Sequence, residues 1–379
     1  MKTSFPLMAR KLIPNFILSI YHYCLALLGA LFYGFPSKRL VIIGVTGTSG
    51  KTTVAEMIYR ILNTKNKTAL MSSISFRIGK EEEENKLKMT MPGRMKIQRF
   101  LRKAVRKNCK YAVLEVTSEG IKQYRHKFID FDIAVFTNLS PEHIEAHGSF
   151  EKYKKAKLKL FKNTEVHVIN IDNRYAKEFL DVPGKKITYS FDDIKLNILG
   201  KFNKYNALAA IKTAEYLGIN QDISKDILED IKLVPGRMEV VSKSPLVIVD
   251  YAHTPEALKN VYETLKGKNL ICVLGSCGGG RDKWKRPIMG KTAEAYCKTV
   301  IVTNEDPYDE NPMDIINQVA GKKSLKILDR KEAIKKAISL AKDDDAVIIT
   351  GKGSEPWMCV AKGKKIPWDD RKIVLDILR

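Results

Sequence analysis

The chain has 379 residues, with 66 Lys and Arg against 43 Asp and Glu and a formal charge of +23, enough for two ordinary domains plus an extension. That balance suits nucleic acid, anionic lipid or a polyanionic small substrate. The lysines, however, are scattered along helical patterns such as "YKKAKLKLFK" and "DRKEAIKKAISLAK" rather than gathered in a basic stripe with interleaved aromatics, so no nucleic-acid partner is expected. The six cysteines form no C-x-x-C pair and no disulfide framework, which excludes zinc and redox motifs and suits a reducing cytosol.

The first element, "IPNFILSIYHYCLALLGALFYGF" at residues 13–35, is nearly continuous apolar sequence flanked by Lys2, Arg10, Lys11, Lys38 and Arg39. Its length is borderline for spanning a bilayer, and Tyr21, His22 and Tyr23 weaken that case. No small-residue cleavage site follows, which argues against a cleaved signal peptide. Two readings stay open: association with a membrane, or a helix docked on the protein's own core.

Next comes "VIIGVTGTSGKTTVAEMIYRIL". Val41, Ile42 and Ile43 read as a buried strand, and Val54, Met57, Ile58, Ile61 and Leu62 recur at helical spacing. The loop between them opens a helix, whose N-terminus attracts anions. Gly47 and Gly50 let backbone N–H groups close round a phosphate, Lys51 adds a point charge, and the Thr52 or Thr53 hydroxyl can ligate magnesium. The loop departs from strict G-x-x-x-x-G-K-[ST] spacing, since position 45 is Val and the preceding glycine is Gly44.

Up to about residue 235, strand-like runs such as "YAVLEV" and "FDIAVFTN" alternate with helical ones such as "MKIQRFLRKAV", with "GKEEEENKLK" as a charged, solvated insertion. From about 236 a second alternation carries the apolar runs "LVIVDYA", "NLICVLGS", "TVIVTNE" and "DAVIIT". The pattern predicts an α/β fold: a central P-loop ATPase domain with a mainly parallel sheet, then a C-terminal Rossmann-like α/β domain. Ligands of such sheets collect at the carboxyl ends of strands. One strand there ends at Glu115, and the next leads to Asn138, His143 and His147. A carboxylate and an imidazole beside a P-loop Thr are suitable ligands for a magnesium ion bridging nucleotide phosphates.

The stretches "GVTGTSGKTT", "EVTSEG", "TNLSPEHIEAHGSFEKYKKAKLKLF", "GKFNKYNALAAI", "VPGRMEVV", "VDYAHTPEAL", "GGGRDKWKRPIMG" and "GKGSEPW" occur in the order found in Mur ligases. From about residue 40 onward the chain resembles the UDP-N-acetylmuramoyl-tripeptide synthetase branch of that family. The resemblance implies ATP-driven amide formation in peptidoglycan precursor synthesis. A UDP-muramoyl-peptide carboxylate takes the γ-phosphoryl group, and an amino acid's amine then displaces it. It also implies three segments, 1–39, 40–235 and 236–379, in a cytoplasmic enzyme that would sit at the inner membrane face if residues 13–35 bind lipid.

By the same resemblance Gly47, Thr48, Gly50, Lys51, Thr52 and Thr53 hold ATP, and Thr52, Glu115 and His143 ligate magnesium. Lys157 matches the lysine that the family carbamylates beside a second magnesium, completing a catalytic set of Lys51, Glu115, His143 and Lys157. Asn203, Asn206, Asp250, His253, Asp282 and Arg286 match nucleotide-facing positions, and Thr90, Ser118 and Arg125 match positions facing the muramoyl-peptide. Blander roles exist: Asn203 could cap a helix, Asp250 could end a strand, and Lys157 could be one more solvated lysine.

Three departures accompany the match. The segment before the P-loop is too short for the family's uridine-binding domain. Where diaminopimelate-adding members read Asp-Asn-Pro-Arg, this chain reads "EDPY", and Tyr308 cannot make the bidentate carboxylate contact of an Arg. That favours lysine or another amino acid, with Glu355 placed to hold the incoming amine. Finally, Gly-Lys-Gly-His-Glu reads "GKGSE", with Ser354 in place of His. Two alternatives follow: a ligase acting on another carboxylate acceptor, or a nucleotide-binding, membrane-associated scaffold without ligase activity.

Overall fold

The computed structural model describes residues 14–87, 89–231 and 234–379. Ile13 and the basic flank at Lys2, Arg10 and Lys11 lie outside them. The apolar N-terminal segment forms helix α1 (Asn15–Tyr33), the one described helix long and apolar enough to cross a membrane.

The first sheet contains β1 (Val41–Thr46), β2 (Thr68–Met71), β3 (Ser75–Ile78), β4 (Glu81–Glu84), β5 (Tyr111–Glu115), β6 (Ile133–Phe136), β7 (Val166–Asn170) and β8 (Lys185–Tyr189). Their order is β4-β3-β2-β5-β1-β6-β7-β8, parallel from β2 to β8 and antiparallel at the β3 and β4 edge. Chain order reverses around β1, which pairs with β5 on one side and β6 on the other; its carboxyl end is therefore a switch point where ligands bind.

Helix α2 (Lys51–Lys65) packs one face of this sheet with the predicted residues: Val54, Met57, Ile58, Ile61 and Leu62 are all fully buried. Burying each such side chain contributes roughly 1.5–3 kcal/mol. Helix α3 (Arg94–Arg106) covers the other face through Ile97, Leu101 and Ala104. The acidic insertion differs from expectation: Glu81–Glu84 is an edge strand, fully exposed and paired with β3. Its charges keep the edge solvated and blunt further strand pairing, while Glu81 accepts from Lys103 and Lys107 of α3.

The second sheet contains β9 (Glu239–Lys243), β10 (Leu246–Val249), β11 (Asn269–Leu274), β12 (Thr299–Val302), β13 (Leu325–Lys326) and β14 (Asp345–Ile349), ordered β13-β12-β11-β14-β10-β9. All pairs are parallel except β9 with β10. A small hairpin of β15 (Trp357–Cys359) and β16 (Lys365–Pro367) follows. Contrary to the cysteine reading, Cys272 in β11 and Cys297 are joined in a disulfide, with Cα atoms 6.1 Å apart. The intervening helix folds back on the sheet, and a separation of 25 residues carries no motif that sequence could show.

Deep in this unit Arg330 and Asp370 form a fork-to-fork pair at 2.9 and 2.7 Å, both side chains fully buried. The Thr350 carbonyl and the Trp368 indole N–H satisfy neighbouring groups. Removing one partner strands a buried charge, so Asp370→Ala should lower unfolding free energy by about 3–5 kcal/mol. Urea denaturation followed by tryptophan fluorescence measures this; a loss below about 1 kcal/mol would show that the pair is replaceable.

Candidate active site

The loop after β1 is held by close packing. Gly50 caps α2 in the left-handed region at φ 81°, and a side chain there would strike the Asn206 carboxamide; one at Gly47 would strike the Thr137 hydroxyl. Lys51 Nζ curls back to donate to the carbonyls of Gly47 and Thr48 at 3.0 and 2.9 Å. Ser49 N–H donates to Asn138 Oδ1 at 3.0 Å, which ties the loop to the end of β6.

Glu115 is buried beside it. Its Oε2 accepts from Thr52 Oγ1 at 3.2 Å and its Oε1 from the Ser73 N–H at 2.7 Å. Ser73 Oγ in turn lies 2.7 Å from Thr90 Oγ1. Burial raises the Glu115 carboxyl above its ordinary value, opposed by the Ser73 N–H and by Lys51. His143 sits in the left-handed region at φ 56°, its ring 5.6 Å from that of Tyr153. Burial pushes its imidazole far below the usual range, and Arg281, Lys157 and Lys51 add to the effect. His143 is therefore neutral at physiological pH and keeps a lone pair for a metal.

Lys157 is not a solvated lysine. On α4 (Phe150–Phe161), it is only 1% exposed, donates to the Gly47 carbonyl at 2.7 Å and stands 4.7 Å above the Tyr153 ring. Burial, then the charge of Lys51, pushes its ammonium well below its ordinary value. The Thr52 hydroxyl and Glu115 carboxylate suit magnesium, a hard ion that takes oxygen ligands and keeps several waters and substrate phosphates, while neutral His143 offers a nitrogen in the same cleft. Among the described residues no three His, Cys, Asp or Glu side chains gather as a closed metal cage, and magnesium needs none.

The second unit closes a cleft of about 1030 Å³ over this loop. Asp282 accepts from the Ile144 and Glu145 N–H groups at 3.1 and 2.8 Å, and the Lys283 N–H donates to Glu145 Oε1 at 2.7 Å. Lys285 Nζ reaches Glu142 at 2.6 Å and the His253 carbonyl at 2.9 Å. His253 is held down to about 3 by burial and by Lys285. Asp250 accepts from the Met238 and Ala252 N–H groups, both at 2.7 Å.

Thr48, Gly50, Lys51, Thr52, Thr53, Thr90, Glu115, Ser118, Arg125, His143, Asn206, Asp250, His253, Asp282 and Tyr308 line the cleft. Five expected residues do not, the first being Gly47, whose carbonyl instead accepts from Lys51 and Lys157. Asn203 is buried behind the wall, where it accepts from Asn206 Nδ2 at 3.1 Å. Glu355 accepts from Tyr251 Oη at 3.1 Å and from Lys352 at 2.8 Å. Lys157 reaches the loop from beneath. Arg286, expected at the nucleotide, is fully buried inside the second unit and donates to Glu310, Gln318 and the Cys277 carbonyl.

Two arginines that the motif reading passed over take the cleft instead. Arg281 lines it, and Arg237 lines it with its guanidinium 4.3 Å from the Tyr251 ring centroid. Both lie inside quoted motifs, "GGGRDK" and "VPGRM", yet sequence does not tell an inward arginine from a structural one. Tyr153 was missed too: a helical aromatic reads as core, and only the fold sets its hydroxyl 3.0 Å from Thr48 Oγ1.

Loop, buried carboxylate, neutral imidazole and closing α/β unit define a P-loop nucleotide-binding enzyme with its site between two sheets. The Mur ligase middle domain matches residues 45–195 and the Mur ligase, glutamate ligase domain matches residues 236–353, and the chain belongs to the Mur ligase family, ATP-dependent enzymes that form amide bonds. It is 37% identical over 402 aligned positions, 94% of this chain and 81% of the relative, to UDP-N-acetylmuramoyl-L-alanyl-D-glutamate–2,6-diaminopimelate ligase of Syntrophomonas wolfei. The Aquifex aeolicus enzyme of the same name is 39% identical, over 92% of this chain and 79% of its own. A solved structure of such a ligase matches 89% of this chain and 78% of its own, with a TM-score of 0.59 at 31% identity. Mycobacterium tuberculosis folylpolyglutamate synthase shares the fold at 17% identity, with a TM-score of 0.72 over 88% and 92% of the chains.

If Lys51 offsets charge on a transferring phosphoryl, as expected of a P-loop lysine, Lys51→Ala should cut ATP turnover by on the order of a hundredfold or more. Phosphate release measures this, and near-normal turnover in a folded variant would remove Lys51 from that role.

Proposed function

We propose that this ligase adds an amino acid to a UDP-N-acetylmuramoyl-peptide in peptidoglycan precursor synthesis, with residues 40–235 binding ATP and 236–379 closing over it. The supporting observation is the convergence of Lys51, Lys157, Glu115 and neutral His143 on one P-loop, in a chain whose relatives carry that activity in their names. Carboxylate and amine do not condense unaided in neutral water, since the oxygen leaves poorly. The acceptor carboxylate attacks the γ-phosphorus and ADP departs; the amine then attacks the acyl phosphate and inorganic phosphate leaves. Lys51 and the cleft arginines, Arg237 and Arg281, offset charge on the transferring group. Magnesium, held by Thr52, Glu115 and His143, would supply further charge neutralisation.

In this reading Lys157 is carbamylated. A buried ammonium beside Lys51 is unfavourable, and the neutral amine that burial produces is the form that attacks CO₂, giving a carbamate and releasing a proton. The sign at the loop then changes from positive to negative, as a second magnesium requires. Thr90, Ser118 and Arg125 would face the muramoyl-peptide and Tyr308 the amino acid; Glu355, held by Lys352 and Tyr251, would orient the amine. The enzyme would work in the cytoplasm, at the inner membrane face through residues 13–35.

A second reading concerns the amino acid. Relatives are named for 2,6-diaminopimelate, but Tyr308 offers no guanidinium to its second carboxylate, which favours lysine. Incubating the protein with ATP, magnesium, UDP-muramoyl-dipeptide and an amino-acid panel, and following phosphate release, tests both readings. Lysine should be preferred strongly, since losing a bidentate charged contact costs several kcal/mol. Preference for diaminopimelate would reject the lysine reading, and no release with any amino acid would reject the muramoyl-peptide acceptor. Lys157→Ala should be nearly inactive and partly rescued by short carboxylic acids that fill the vacated site as anions; near-wild-type activity without such a response would remove the carbamate.

A further inference from the structure

Helix α1 is neither an element of the core nor a free tail. Ala26 and Ala30 are buried, and Gly29 sits on the Met95 side chain at the start of α3, where an added Cβ would lie 3.1 Å from the Met95 sulfur. Ser19 Oγ donates to Tyr124 Oη at 2.9 Å, and Tyr23 packs edge-on against Tyr124 and Phe128. The helix is thus held along its length to the first unit by one face.

Its other face is apolar and exposed. Phe16, Ile20, Leu28, Leu31 and Phe32 fall on one side at 100° per residue, with Phe32 75% and Phe16 65% exposed. No Asp, Glu, Lys or Arg occurs between Pro14 and Ser37. Over 19 residues the stripe runs about 28 Å, long for a chance patch on a soluble surface.

Beside it lies the opposite kind of surface. Met95, which touches α1, shares one face of α3 with Arg99, Arg102 and Arg106 at helical spacing. Arg99 and Arg106 are exposed and Arg102 partly so. Lys103 and Lys107, on a neighbouring strip, are taken up by Glu81. Lys38 and Arg39, both exposed, add charge at the carboxyl end of α1.

We infer that the outward face of α1 and the basic row of α3 form one docking surface for an anionic phospholipid bilayer, with α1 lying in the interface plane rather than crossing it. An apolar stripe bordered by cations is the arrangement that seats a helix at the headgroup boundary, its side chains in the acyl region and its arginines on lipid phosphates. Crossing is disfavoured by the α1 contacts: a spanning helix would either tear Gly29, Ala30 and Ser19 from their partners or carry the α3 arginines into hydrocarbon. A second copy fits poorly, since a self-paired surface would set the same basic row against itself in a chain of charge +23. Tyr124 is flanked by Gln123 and Arg125, which line the cleft, so docking sets that side of the cleft beside the bilayer. The inference builds on the membrane placement proposed above and is independent of the ligase chemistry.

The test is sedimentation of the full chain with vesicles of phosphatidylcholine alone or mixed with phosphatidylglycerol. Binding should require phosphatidylglycerol, fall with salt, and fall on the order of a hundredfold in the triple variant Arg99→Gln, Arg102→Gln, Arg106→Gln. Leu28→Asn with Leu31→Asn should also release the protein, and an alkaline carbonate wash should extract the wild type. Equal binding to neutral vesicles, indifference to the arginine variant, retention after carbonate, or a lipid-free dimer by light scattering that the Leu28 and Leu31 changes dissolve would each overturn it. Soluble ATP turnover, followed on the same samples, should be unchanged in every variant; its loss in the wild type would count against the ligase reading alone.

Discussion

Two lysine side chains meet at one carbonyl. Lys51 Nζ and Lys157 Nζ lie 3.0 and 2.7 Å from the oxygen of Gly47, Lys157 buried and Lys51 half-buried at the cleft wall. Two ammonium groups at that spacing in a poorly solvated pocket repel, and one of them must lose charge or gain a counter-ion. Much else in the site answers to this constraint. Burial chiefly, with Arg281 and both lysines adding to it, keeps His143 neutral, and Tyr153 offers its ring face to Lys157 and its hydroxyl to Thr48.

Charged and polar contacts also join the two units. Glu142 and Asp282 lie in the seam, the first paired with Lys285 and the second capping the short helix Ile144–His147. The segment that follows His143 is thereby bonded to the second unit, so the position of His143 depends on contacts from both units. Lys285, also bonded to the His253 carbonyl, links the seam to the cleft wall.

Much of the architecture was legible in the sequence. The apolar runs at residues 41–46 and 246–249 and the helical spacing of Val54 to Leu62 are periodicities that burial imposes on any chain, so pattern alone assigns them. The P-loop was legible because Gly, Lys and Thr do chemistry there that other residues cannot. The acidic run at Glu81–Glu84 was not legible as a strand, since an exposed edge carries no alternation to detect. Nor was the Cys272 and Cys297 pairing, which depends on a helix folding back over its sheet.

By itself the sequence determined the order of elements, the phosphate loop and the set of polar residues available at the strand ends, because these are local or periodic properties of the chain. Only the tertiary structure decided which of those residues meet. It sent Arg286 into the second unit's interior and Arg281 and Arg237 to the cleft, and it buried Lys157 against Gly47 while Lys155 on the same helix stays exposed. It also laid α1 against α3 with its apolar face outward. The reason is physical: whether a charged side chain is buried depends on what packs over it, and those partners lie elsewhere in the chain, Gly47 being 110 residues from Lys157 and Gln318 being 32 from Arg286.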